Sequence, residues 1–207
     1  MSREAKKHEI FLARPQRAAL RFPRGWDDVC GAELLELLDD PLTPQSKSER
    51  SAPRIVPLRS GFELRGVSFR SLCELPLRSR TLRELVWLVD SGSAVSKEAL
   101  VDTITAGPLH WILGSTASVI VKASSQRSRL FHTGLIQSEI EAALQRQGVR
   151  IAADDTAGVT VYAELWRDTV AVGIGLGGES LGKRGYKVDL RSPASIKEEL
   201  AACCIDG

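Results

Sequence analysis

The chain has 207 residues, enough for one large domain or two small ones with cores of their own. Lys and Arg total 28 against 26 Asp and Glu, so a net charge of +2 does not by itself mark a nucleic-acid partner. No apolar run approaches the ~20 residues a spanning helix needs, and no membrane partner is expected.

The start MSREAKKHEI lacks the apolar core of a signal peptide, and a cytoplasmic location is expected. The four cysteines, Cys30, Cys73, Cys203 and Cys204, form no CxxC pair and have no accompanying His cluster, so no metal site is expected. Cys30 and Cys73 lie beside apolar residues and read as reduced core thiols. Charge is segregated locally: residues 1–24 hold seven Lys or Arg against Glu4 and Glu9, and from Asp27 to Asp40 every charge is acidic.

Taken in order, Ile10 to Ala13 is a short apolar run that reads as a strand. Ala18 to Phe22 is a second extended piece. Trp26, Val29, Cys30, Leu34, Leu37 and Leu38 recur at helical spacing, with Asp27 and Asp28 in a first turn whose dipole favours acids. Residues 41–53 are rich in Pro, Ser, Lys and Glu and read as a mobile loop. Phe62 to Phe69 reads as a strand, and Gly66 within it signals a bulge or close packing. Ser71 to Ser79 reads as a short helix interrupted or entered at Pro76, and Leu82 to Val89 as a strand.

Ser96 is positioned to cap a helix over Lys97 to Ala106. Gly107-Pro108 ends it, and Trp111 in the apolar patch beyond reads as a core anchor. Ser118 to Ala123 is the next strand, then the basic loop SSQRSRLFHTG, then a helix from about Leu135 to Gln147. Arg127 and Arg129 read either as solvated loop residues or as phosphate contacts just before a helix N-terminus, which favours anions. His132 reads as a capping residue or as part of the same contact. Val159, Val161, Ala163 and Leu165 alternate with polar residues. Val170, Val172, Ile174 and Leu176 repeat the pattern, with Arg167-Asp168 as the turn of a hairpin. Gly173, Gly175, Gly177 and Gly178 invite a dinucleotide loop, but they follow a hairpin strand and no helix opens after them.

The last quarter is the most specific. LGKRGYK, from Leu181 to Lys187, is followed shortly by SPASIKEELAA. Together they resemble the segment joining two domains in bacterial THUMP-containing RNA methyltransferases, approximately LHKRGYR, a spacer, then APLKETLAAA. Leu181, Lys183, Arg184, Gly185 and Tyr186 match the first block. Pro193, Ile196, Lys197, Glu198, Leu200, Ala201 and Ala202 match the second. Gly182, Lys187, Ser195 and Glu199 depart from the pattern. PRGWDDVCGAELLELL is similar to the family's opening helix, LRGVSFRS to its GGVSFEG strand, and GIGLGGESLGKRGYK to its LDLSGEPLHKRGYR ending. Ser125 or Ser128, Arg129, His132 and Gly134 fit the family's strand–basic loop–helix signature.

The resemblance runs from roughly Phe11 to Ala202 and is closest to the 23S rRNA guanine-N2 type. It implies an α+β chain: an N-terminal ferredoxin-like unit over 1–94, packed with an α/β THUMP RNA-binding domain over 95–187. Residues 188–207 would begin the helix leading to a methyltransferase domain that this chain lacks. It implies an RNA face of Lys122, Arg127, Arg129, His132, Lys183, Arg184 and Lys187. Arg191, Ile196, Lys197 and Leu200 would serve the interdomain contact.

No catalytic residue is expected. No D/N-P-P-[YF]-like loop is present, and S-adenosylmethionine would bind only the further domain. The expected function is presentation of structured RNA, an rRNA, to that domain in cis or in trans. The alternatives are a subunit docking a separately encoded catalytic chain, with the apolar side of the last helix (Ile196, Leu200, Cys203, Cys204) lacking a complete partner, or a tRNA-directed equivalent.

Overall fold

A computed structural model describes residues 3–39, 53–58, 61–114, 118–153, 158–177, 181 and 197–206. The chain divides into two compact units, one of residues 9–87 with 176–207, the other of residues 1–8 with 88–175. The mixture of helices and strands matches the expected α+β class.

The first unit holds β1 (Gln16–Arg21), α2 (Asp27–Asp39), β2 (Arg54–Leu58), β3 (Gly61–Val67), α3 (Phe69–Arg78), the first half of β4 (Glu84–Ser93) and α7 (Glu198–Asp206). Its strands lie in the order β2-β3-β1-β4, with β3 antiparallel to both β2 and β1. Gly66 is the extra residue of a bulge: Gln16 pairs with Val67 but Arg17 with Arg65, and Gly66 takes φ 79°. Gly61 is required for a different reason, since a Cβ there would stand 2.0 Å from the Leu20 carbonyl oxygen.

Two corrections belong to this unit. Ile10 to Ala13 is no strand, because residues up to Leu12 continue α1 (Arg3–Leu12). Ile10 is 51% exposed, while Phe11 packs its ring on Trp87 with centroids 5.9 Å apart. A four-residue apolar run fits either period, and here the helical one wins. Phe69 likewise opens α3 rather than ending β3, because the Ser68 hydroxyl caps the Ser71 amide at 3.0 Å.

Buried carboxylates organise the unit's polar interior. Glu33 on α2 accepts from the Ser79 hydroxyl at 2.8 Å, the Arg80 amide at 2.6 Å, and the amide and hydroxyl of Thr81. Burial works against its charge, but these donors outweigh it and hold the carboxyl below its ordinary value. Glu63 on β3 behaves alike: burial opposes ionisation, and Arg65 at 2.6 Å and Arg17 at 2.7 Å overcome it.

Helix α7 is not without a partner. Cys203 is fully buried with its Sγ 3.9 Å from Sγ of Cys30 on α2, while Cys204 and Ile205 face solvent. The expectation that Cys203 and Cys204 share one unpartnered side is corrected by the packing of α7 on α2. Burial pushes the Cys30 thiol up to about 12. Cys73 is exposed on α3, not a core thiol.

The second unit holds the remainder of β4, α4 (Lys97–Ala106), α5 (Leu109–Leu113), β5 (Ser118–Gln126), α6 (Thr133–Arg146), β6 (Arg150–Ile151), β7 (Val159–Trp166) and β8 (Thr169–Gly175). The order is β4-β8-β7-β5-β6, with β5 parallel to β6 and β7, and β7 antiparallel to β8. The Ser96 hydroxyl caps α4 at the Ala99 amide, 3.3 Å away. Val161, Ala163, Leu165, Val170, Val172 and Ile174 are buried, as the hairpin alternation predicts. Ile136, Ile140, Ala143 and Leu144 bury the inner face of α6. Trp111 is half-buried on α5, its ring 4.9 Å from that of His8.

Among the described residues, no helix is long and apolar enough to cross a membrane, and no group of three or more His, Cys, Asp or Glu could hold a metal ion.

Candidate nucleic-acid interface

Parallel pairing builds this site. It sets Lys122 opposite Tyr162, Ser124 opposite Glu164, and Gln126 opposite Trp166. The last residues of β5 and β7 therefore finish side by side. Beyond β5 the chain runs through residues 127–132 into α6, and beyond β7 it turns at once through Arg167 and Asp168 into β8. Loop and turn meet at one rim.

Two hydrogen bonds and an ion pair fasten them together, and a third hydrogen bond ties the turn to the chain just after β4. The Arg129 amide donates to Asp168 Oδ1 at 2.7 Å, and the Asp168 amide donates to the Ser128 hydroxyl at 3.1 Å. The Ala94 amide donates to the Asp168 carbonyl at 2.8 Å. Arg129 Nε also lies 3.5 Å from Asp168 Oδ2.

The rim is conformationally expensive. Among the described residues, Arg127, Arg167 and Asp168 are the non-glycine residues at positive φ, at 53°, 49° and 61°. A left-handed L-residue costs roughly 1–2 kcal/mol. A two-residue hairpin turn of type I′ needs positive φ at both central positions and prefers Asn-Gly or Asp-Gly. Here Arg-Asp stands instead, with a third strained residue, Arg127, beside it.

Those residues display charge and aromatic surface. Arg127 and Arg129 are exposed, and the guanidinium carbons of Arg127 and Arg167 lie 5.1 and 5.7 Å from the centroid of the Trp166 ring. Phe131 is 66% exposed with its ring 4.0 Å from that of His132. Lys122 is exposed further back on β5, at a position of the same parity as Gln126 and Trp166. Asp168 offsets Arg129, but an exposed pair of this kind is worth only about 0–1 kcal/mol and leaves that guanidinium open to solvent. Glu164 occupies the same strand face and is half-buried.

Helix α6 opens at the rim. His132 is its N-cap residue through its backbone carbonyl, which accepts from the Ile136 amide at 3.1 Å, and its side chain makes no capping bond. No acid occupies the first turn of α6, so the partial positive charge of its N-terminus is not offset there.

Of the residues expected to contact RNA, Lys122, Arg127, Arg129 and His132 are thus on β5 and the loop that follows it. Lys183, Arg184 and Lys187 lie outside the described residues, as do Arg191 and Ile196 of the expected interdomain set. Lys197 is exposed immediately before α7, and Leu200 is half-buried on that helix. Trp166, Arg167 and Phe131 belong to the rim but do not stand out from sequence. The available signal was the Trp166 ring at the last polar-face position of an otherwise well-alternating strand.

No protein-family model matches the chain. It is similar to two curated proteins described as ribosomal RNA large subunit methyltransferase K/L. The one from Methylococcus capsulatus (strain ATCC 33009 / NCIMB 11132 / Bath) is 28% identical over 175 residues, 80% of this chain and 23% of its own length. The one from Alteromonas mediterranea is 27% identical over 191 residues, 88% of this chain and 25% of its own. The chain therefore spans about a quarter of the curated relatives it matches. Its fold is that of half of a predicted N6-adenine-specific DNA methylase from Listeria monocytogenes str. 4b F2365. That match has a TM-score of 0.73 at 18% identity, covering 95% of this chain and 49% of the other.

Proposed function

We propose that this chain is an RNA-binding module that presents structured RNA, an rRNA, to a methyltransferase domain acting on guanine N2. In this reading residues 1–94 form a ferredoxin-like unit, 95–187 a THUMP domain and 188–207 the lead into the catalytic domain. That domain sits on the same or a separate polypeptide and holds S-adenosylmethionine. This chain supplies no chemistry of its own.

The reading is carried by the cationic rim where β5 and β7 end. Three arginines, Arg127, Arg129 and Arg167, stand there around one acid, Asp168, in loops tied to one another. Arginine guanidinium groups suit phosphate oxygens, and the first-turn amides of α6 add further donors. The likeness to ribosomal RNA methyltransferases supports RNA as the polyanion. Lys183, Arg184 and Lys187 are proposed as further RNA contacts.

The test is binding of large-subunit rRNA fragments by the purified chain across a salt series. Affinity should fall steeply with salt, by a log–log slope of about 0.7–0.9 per phosphate contacted. Salt-independent binding, or none, would overturn the assignment. Preference for tRNA over rRNA fragments would move it to a tRNA-directed enzyme.

A further inference from the structure

We propose that Trp166, with Arg127 beside it, is a stacking platform for one unpaired base of a single-stranded RNA segment. This rests on the RNA-binding reading and adds to it. The site then takes exposed bases as well as phosphates.

The position of the ring argues for it. Trp166 ends β7 on the strand face opposite the buried Leu165 and Ala163, so the core does not hold it. It remains 43% exposed, although an indole normally buries its large apolar surface. What stands against it is charge: the guanidinium carbons of Arg127 and Arg167 lie within 6 Å of its centroid, at 5.1 and 5.7 Å. Arg127 takes φ 53°, and Arg167 takes φ 49° in a turn where glycine would be easier. An exposed indole with planar cations around it is the combination that receives a nucleobase, which stacks by its π face whatever its identity. A duplex keeps its bases stacked on one another and offers such a ring only its two terminal pairs. Phe131, 66% exposed at the far end of the same loop, offers a second ring to a strand that tracks along the rim.

The experiment compares labelled oligo(U) and oligo(A) 12-mers with a blunt RNA duplex, using the whole chain, Trp166→Ala and Trp166→Phe. Single strands should bind W166A about 5- to 150-fold more weakly than wild type. The duplex should change less than about twofold, because phosphate contacts remain. W166F should recover most of the single-strand affinity. A 5-bromouridine-substituted oligo(U) irradiated on the wild-type chain should crosslink to the peptide holding Trp166, which needs no variant to fold. Equal loss on both ligands, no loss on either, or crosslinks only elsewhere would overturn the platform while leaving rRNA binding intact. A wild-type chain that binds no RNA at all would sink both readings together.

Discussion

Asp168 accepts the backbone amide of Arg129 at 2.7 Å across 39 residues of sequence, and through it the β5–α6 loop is held to the β7–β8 turn. The same carboxylate faces the Arg129 guanidinium at 3.5 Å. One acid among three arginines therefore shapes the rim more than it neutralises it. Asp168→Ala should lower stability by about 1.5–3 kcal/mol, the range for losing a hydrogen bond to a charged group. It should also weaken RNA binding despite making the rim more positive. Urea denaturation and anisotropy titrations on the same variant check both. Tighter RNA binding by D168A would show that charge, not loop placement, governs the rim.

Charge reversal at the rim should act uniformly over RNA sequences. Arg127→Glu or Lys122→Glu is expected to weaken rRNA-fragment binding and to reduce the salt slope by about 1. Arg184→Glu, at another proposed RNA contact, should do the same. Lys97→Glu, on α4 and paired with Glu139 at 3.7 Å, should leave the slope unchanged. Titrations at several salt concentrations separate the four variants.

The Glu33 network makes stability depend on pH with a definite sign. The folded carboxyl sits below its ordinary value, despite burial, because Thr81, Arg80 and Ser79 donate to it. Its contribution is complete above the ordinary Glu pKa of ~4.3 and is lost as pH falls through the depressed folded value. Glu33→Gln should cost about 2–4 kcal/mol at pH 7 and show a weaker loss on acidification than wild type. Urea midpoints measured from pH 7 down to pH 3 give both quantities.

Thiol chemistry should distinguish the cysteines. Cys73 and Cys204 are exposed, whereas Cys30 and Cys203 are buried against each other, with the Cys30 thiol pushed up to about 12. An aromatic disulfide reagent should modify Cys73 and Cys204 first. Cys30 and Cys203 should follow only as α7 leaves α2. Peptide mapping at intervals reads the order.

Much of this architecture is written in local pattern. The β7–β8 hairpin follows from strict alternation in Val161, Ala163 and Leu165, and α4 from Ser96 at its cap. The bulge at Gly66 was legible because only glycine takes that φ without strain. β2 was not legible, since Pro57 and a half-exposed pattern mark it as an edge strand rather than a hydrophobic one.

The site was legible only in part, and for a physical reason. Arg127 and Arg129 announce themselves as cations before a helix. Their union with Trp166 and Arg167 depends on parallel pairing between β5 and β7, a non-local relationship that no short window contains. Side-chain parity places Trp166 at the strand end, but only pairing supplies its neighbours.

The left-handed arginines have a consequence for anyone improving this protein. A screen that rewards heat resistance alone would accept glycine at 127 and 167, where φ is 53° and 49°, since glycine relaxes both backbones. On the proposed RNA-binding reading, each accepted clone would melt later and grip RNA less firmly. Thermal hardening and ligand retention should therefore be scored in the same round, because at this corner of the molecule they pull in opposite directions.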